Sequence, residues 1–270
     1  MKRIISVILS LAMTFAMVLT FSSCDFSSVL GDKENAEEKT GYELYQSAQE
    51  CYKQVDACKI NQHLVAKTVE NGKEMFAAEF DIDNYIGKDT FCGRTNWQGI
   101  EMNAFYVDGW LYVNGTVSGP YGVEIYMKDE LTYEEALNGS LGLFVDIKEN
   151  QINNAKIENS DDGGQILTFT VSAKYMEEMY EQYYQSISSD VAYLPEGYEG
   201  KDVDVVVTFD ENMLFKTLIY EYEIALIYED SEIVYTILNE LTFEEISPLE
   251  IPEIVTPDNA DEYMEMDLIM

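Results

Sequence analysis

An α+β fold, with helices packed on a long run of antiparallel strands, is what this sequence predicts, on three observations. Two stretches carry apolar residues at helical spacing: Tyr45, Ala48, Tyr52 and Val55 in one, Met176, Met179, Tyr183 and Ile187 in the other. Most of the remaining chain alternates apolar and polar residues with a period of two. Tight turn signals, Asp108-Gly109 above all, join neighbouring runs, so the strands follow one another as meanders.

The elements run in this order. Thr40-Gly41-Tyr42-Glu43 has the form of a capping box, in which the Thr side chain and the Glu three residues on satisfy free helix amides. It predicts a helix from Tyr42 to about Val55. Phe76, Ala78, Phe80 and Ile82 then alternate with Ala77, Glu79 and Asp81. Phe105-Tyr106-Val107 and Trp110-Leu111-Tyr112-Val113 flank Asp108-Gly109, a pair that supplies the positive φ angles of a type I′ hairpin turn. Strands follow through Val123, Ile125 and Met127, through Leu141, Leu143, Val145 and Ile147, and, after Gly163-Gly164, through Leu167, Phe169 and Val171. Ser172 can cap a second helix that reaches about Ile187. Val203 to Phe209, Leu218 to Tyr228 and Ile233 to Phe243 complete the strands, and Pro248 and Pro252 end the order. Glu130-Leu131-Thr132-Tyr133-Glu134-Glu135 echoes Glu240-Leu241-Thr242-Phe243-Glu244-Glu245, which leaves open either a duplicated unit or a chance match in an acidic, Tyr-rich chain.

The first residues read as an export signal. Lys2 and Arg3 form a positive start, Ile4 to Phe21 is uncharged and mostly apolar, and Phe21-Ser22-Ser23-Cys24 follows. These last four residues resemble a lipobox, the motif that precedes the lipidated cysteine of bacterial lipoproteins, with small residues before the Cys and Phe21 where Leu is commonest. The resemblance implies cleavage before Cys24 and a diacylglyceryl group on its sulfur, an anchor firmer than a single acyl chain. A retained apolar helix is the alternative, since roughly 18 residues is the lower edge for spanning a bilayer. Ordinary cleavage with an incidental Cys24 is the other. The chain then divides into a signal peptide (1–23), a flexible acidic tether (24–39), a body (40–256) and an acidic C-terminal tail (257–270), with Pro257 to Met270 loose.

Composition sets further bounds. The chain has 270 residues, 47% of them hydrophobic, enough for a real core. Its formal net charge is −35, and cleavage would remove Lys2 and Arg3 and no acid. Such a chain repels nucleic-acid phosphates and anionic head groups, which excludes nucleic-acid binding and leaves Cys24 as the attachment to the membrane. With Cys24 assigned to lipid, Cys51, Cys58 and Cys92 remain, an odd number; Cys51 and Cys58 could pair, or all three could be small, partly buried residues. No spacing suggests a zinc site.

Catalytic signatures are lacking. His63 is the sole histidine and reads as a surface or edge residue of a strand. There is no Gly-x-Ser-x-Gly elbow, no phosphate-binding glycine loop and no HExxH. Carboxylates are too many for any pair to be informative. Asp161-Asp162-Gly163 reads as a polar turn or a loose calcium ligand set without EF-hand spacing. Twenty tyrosines suit strands and stacked interiors; Tyr220, Tyr222 and Tyr228 could instead line a hollow for a lipid tail or a sugar. No enzyme, metal or cofactor is expected.

Helix, meander, helix, meander, behind a lipobox, resembles the LolA-like and LppX-like half-barrel lipoproteins, including lipoproteins of Firmicutes with this layout. The resemblance is carried by Tyr42 to Val55, by the Trp97-to-Val113 strands with their Asp108-Gly109 turn, and by Ile246 to Ile254. It covers Thr40 to Ile254. It implies a curved antiparallel β half-barrel packed on two or three helices, and, as in some members, an acyl chain held in the hollow. The expected function is that of a membrane-tethered extracytoplasmic lipoprotein binding an apolar, lipid-like ligand. The alternative is a cell-surface structural or protein-interaction module with no ligand pocket.

Overall fold

The computed structural model describes residues 36–52, 54–97, 100–117, 123–133, 136, 147, 149–186 and 194–265. The signal peptide, Cys24, the tether as far as residue 35, the expected strand at Leu141 to Asp146 and the last five residues lie outside the described residues.

The described residues form an α+β structure dominated by one large, curved, unclosed antiparallel sheet. Its strands are β1 (Ala57–Glu70), β2 (Lys73–Gly87), β3 (Phe91–Trp97), β4 (Ile100–Val107), β5 (Trp110–Val117), β6 (Val123–Glu130), β7 (Asn153–Asn159), β8 (Gln165–Val171), β9 (Gly197–Gly200), β10 (Val203–Phe209), β11 (Phe215–Tyr228), β12 (Ser231–Glu245) and β13 (Met264–Glu265). The spatial order is β13-β6-β5-β4-β3-β2-β1-β12-β11-β10-β8-β7, with β9 paired to β11. Two meanders therefore meet where β1 pairs with β12. Strand twist accumulated over so many strands curls a sheet rather than leaving it flat. Register shifts at Thr68/Val69, Thr208/Phe209 and Asn153/Lys156 add local bends.

Turn chemistry fixes the hairpins. Asp108 (φ 54°) and Gly109 (φ 84°) both adopt the positive φ of a type I′ turn, and Val107 pairs with Trp110 across it, as expected. Asn71 (φ 49°) and Gly72 (φ 76°) make a second such turn between β1 and β2, a signal not singled out above.

Alternation then sorts the faces. Ile60, Leu64 and Ala66 of β1, Phe80 and Ile82 of β2, Leu218, Ile224 and Leu226 of β11, and Val203, Val205 and Val207 of β10 are buried on the inner face. The helices α1 (Ala36–Tyr52) and α2 (Ala173–Ser186) cover part of that face. α1 packs on β7, β8 and β11, with Tyr45 and Ala48 fully buried. Gly41 permits the approach, because a Cβ there would lie 2.8 Å from the Ala155 Cβ. α2 packs on β9 and buries Met176, Met179, Tyr180 and Tyr184. Ser172 caps α2 as expected, its Oγ accepting from the Tyr175 amide at 3.3 Å. The side chains of Tyr183 and Ile187 lie outside the described ones.

Three expectations need correction. α1 begins at Ala36, so Thr40 lies inside the helix and its capping box is not the start; Ala36-Glu37-Glu38-Lys39 are good helix formers and extend it into the expected tether. The helix ends at Tyr52 rather than Val55, because β1 starts at Ala57 and the chain must turn. The tail is not loose as far as Glu265. Ser247 and Glu250 form a capping box around a short 3₁₀ turn at Pro248–Glu250. The chain then follows one rim of the sheet: Ile246 N donates to Ala57 O, Ile251 lies against Gly87, and the Thr256 hydroxyl donates to Asp108 Oδ2 at 2.9 Å. β13 finally pairs in parallel with β6. The two echoing acidic segments also differ in structure: residues 240–245 lie within β12, whereas residues 131–133 leave the sheet after β6.

Candidate functional site

Tyr220 and Tyr222 face inward on β11 but are buried, at 3% and 5% exposure, and have partners. Tyr222 OH accepts from Tyr180 OH on α2 at 3.1 Å, and burial pushes both phenols well above the ordinary tyrosine range. Tyr228 is half-buried at the far end of the strand.

Across the centre of the inner face runs a row of buried side-chain amides. Asn84 Nδ2 on β2 donates to Gln62 Oε1 on β1 at 3.4 Å. Gln62 Nε2 donates to Asn239 Oδ1 on β12 at 3.1 Å, and Asn239 Nδ2 donates to Tyr220 OH on β11 at 2.6 Å. Each donor is oriented by the acceptor beyond it, so the row ties four adjacent strands together in one direction.

The remaining singled-out residues sit apart. His63 lies on the outer face of β1, a central strand rather than an edge. Its Nδ1 is 2.8 Å from Asp81 and its Nε2 3.7 Å from Glu79, with Glu240 opposite it on β12. The Asp81 hydrogen bond, helped by the charges of Glu79 and Glu240, holds the imidazole above its usual range. Both ring nitrogens face carboxylates, not a hydroxyl or thiol that a base could activate. Asp161-Asp162-Gly163 forms a turn. Asp162 bonds to the ammonium of Lys216 and to Ser160, and the Lys216 bond holds its carboxyl at about 2, so both of its oxygens have partners in the turn. Among the described residues, no cluster of His, Cys, Asp and Glu is placed to hold a metal ion. Cys58 and Cys92 are buried; the Cys51 side chain lies outside the described ones. A groove of about 450 Å³ opens between α2 and the start of β9, edged by Glu177, Glu178, Glu181, Glu196, Lys174 and Tyr198. Its carboxylates suit neither an acyl chain nor an anionic head group.

The outer face of β4–β6 is different in kind. Tyr112 stacks on Phe105 with ring centroids 5.4 Å apart, and Lys128 Nζ lies 5.0 Å over the Trp110 ring. Tyr263, from the tail, is seated on these strands. Its ring meets Tyr112 (5.1 Å) and Tyr126 (5.2 Å) edge-on, and its hydroxyl accepts from Asn114 Nδ2 at 2.9 Å. Lys128 Nζ donates to Ala260 O at 3.3 Å and pairs with Glu265 at 3.7 Å. Sequence reading missed this seat. Its signal was Tyr263 itself, the lone aromatic among residues 257–270, together with the outward parity of Phe105, Trp110 and Tyr112.

No protein-family model matches the sequence, and no curated protein matches it. Solved structures do. A DUF1329 family protein from Desulfovibrio piger is similar over 84% of this chain and 99% of that one, at 9% identity and a TM-score of 0.30. The ywiB protein of Bacillus subtilis is similar over 73% and 99%, at 10% identity and a TM-score of 0.22. Scores this low assign neither a fold family nor a function.

Proposed function

We propose that this protein is a lipid-anchored, extracytoplasmic interaction module, tethered to the membrane through Cys24 and working by holding another polypeptide segment rather than by catalysis. One observation carries the interaction reading. The inner face over β8–β11 is taken up by side chains of the two helices, whereas the outer face of β4–β6 seats a segment of chain, a 3₁₀ turn at Ala260–Glu262 followed by Tyr263 and β13, on aromatic rings. Tyr45, Met176 and Tyr180, each at 0% exposure, occupy the place where an acyl chain would lie against β11.

The anchor rests on Lys2-Arg3, the apolar run and Ser22-Ser23-Cys24. Metabolic labelling with a tagged fatty acid should mark the wild-type protein, and Cys24→Ala should abolish the label. Equal label on both would remove the anchor.

A carrier of apolar ligands is the second reading. It is favoured by the inner face of β1–β4, where Ile60, Leu64, Phe80, Ile82 and Met102 are apolar and where neither helix makes its main contacts. The soluble body, expressed from Asp25 onward, can be titrated with a fluorescent fatty-acyl probe. The interaction reading expects no saturable binding at micromolar probe. Ten buried methylenes would supply roughly 8 kcal/mol before ordering costs, so a real hollow would show itself. Saturable binding, lost in a folded Phe80→Asp variant, would restore the carrier.

A further inference from the structure

Tyr263 is 4% exposed, yet the residues beside it, Asp261, Glu262, Met264 and Glu265, are exposed. One ring, one lysine and a two-residue parallel ladder hold the segment. The seat, by contrast, is assembled from β4–β6 alone. Asn114 Oδ1 accepts from Asn103 Nδ2 at 3.1 Å, which turns the Asn114 amide so that its own NH₂ meets the incoming phenol. Phe105 backs Tyr112, and Trp110 lies beneath the Lys128 ammonium. A site organised before its occupant arrives binds with little ordering cost. The occupant is residues 257–265, joined to the body through a partly exposed stretch that contains Pro252 and Pro257.

We propose that the seat on β4–β6 accepts the C-terminal segment, residues 257–265, of a second copy of this chain, so that two copies pair by exchanging these segments. The chemistry that recognises the segment is independent of which molecule supplies it: a phenol read by Asn114, edge-on contacts from Tyr112 and Tyr126, and Lys128 set between a backbone carbonyl and a carboxylate. In a reciprocal, two-fold exchange both seats stay filled, and the contacts of the stretch before the segment, such as Thr256 with Asp108, are made again with the partner body or given up. The connecting stretch would then run between the two bodies. It carries Leu249, 95% exposed, and Val255, 62% exposed, apolar side chains that a facing copy would cover. Among the described residues, β6 pairs with β5 and, at Met127 and Lys128, with β13. Tethering to one membrane would raise the local concentration that exchange requires.

The proposal rests on the interaction reading and names its partner. Its test uses the full chain in detergent, in two forms with different tags. Tyr263→Ala has the seat without the plug; Asn114→Leu with Tyr126→Ala has the plug without the seat. Wild type should pair in a concentration-dependent way by sedimentation, and Tyr263→Ala should weaken pairing about tenfold or more. Each variant alone should pair about tenfold or more weakly than wild type, whereas mixing them should give a heteropair held by one good seat. Two differently tagged wild-type pools, mixed and followed by native mass spectrometry, give a readout that needs no variant to fold; mixed pairs are expected. Wild type that remains single at every concentration and forms no mixed pairs overturns the proposal, and so does pairing undiminished in Tyr263→Ala. Such a failure without acyl binding removes only the second copy as partner; saturable acyl binding would remove the interaction reading itself.

Discussion

Tyr45→Ala should destabilise the protein by about 3–5 kcal/mol, the range for truncating a buried aromatic side chain. Tyr45 is fully buried at the centre of α1. Its ring stands edge-on to Phe169 (6.2 Å) and to Phe215 (5.2 Å), and Phe215 in turn meets Phe209 and Phe243 at 5.4 Å each. One helical side chain thus joins aromatics from β8, β10, β11 and β12. Neighbours on these strands cannot collapse into the space without breaking ladder hydrogen bonds, so most of the void would persist. Tyr45→Phe keeps the ring and should lose far less. The two are compared by urea denaturation, with the slope checked so that a change in midpoint reads as stability. A Tyr45→Ala loss below about 1 kcal/mol would mean that α1 is not anchored here.

That residue was legible in the sequence, and its role was only partly so. Helical spacing put Tyr45 and Ala48 on one face of a helix, and period two put Phe169 and Leu218 on one face of a sheet, because both periods follow from backbone geometry. What periodicity could not say is which strands the helix meets. The meeting of β1 with β12 joins residues far apart in sequence, and only the folded sheet sets it. The tail failed for a related reason. Pro257 to Met270 is acidic and proline-led, and composition reads such a segment as solvated. Its docking turns on one tyrosine finding a distant seat, which no local window contains. The start of α1 was misplaced because Thr40 and Glu43 fit a capping pattern while the residues before them were read by charge rather than by helix propensity.

The inner polar row marks a further limit, and it carries the second large effect. Gln62, Asn84 and Asn239 occupy inward positions of strands whose neighbours on the same parity, Ile60 and Leu64, Ile82 and Ile86, Ile237 and Leu241, are apolar. A binary pattern treats such residues as breaks in a core face, although parity alone shows that three polar side chains must point inward. In the structure they satisfy one another, so each holds its neighbour's hydrogen-bonding group out of an apolar setting. Asn239→Leu should therefore cost about 1–3 kcal/mol from the Gln62 amide alone, which loses its acceptor while still buried at 1% exposure. Removing the donor to Tyr220 adds to that cost. Gln62→Leu should be similarly damaging, since it takes away Asn239's acceptance partner and Asn84's acceptor. The double variant is the informative one. With both amides gone, neither is stranded by the other, so its loss should fall short of the sum of the singles by roughly 0.5–3 kcal/mol. A double-mutant cycle by chemical denaturation measures that coupling. Additivity within about 0.5 kcal/mol would show the amides to be independent. A coupling in the expected range would show that the row acts as one unit, stitching β2, β1, β12 and β11 across the place where the two meanders join.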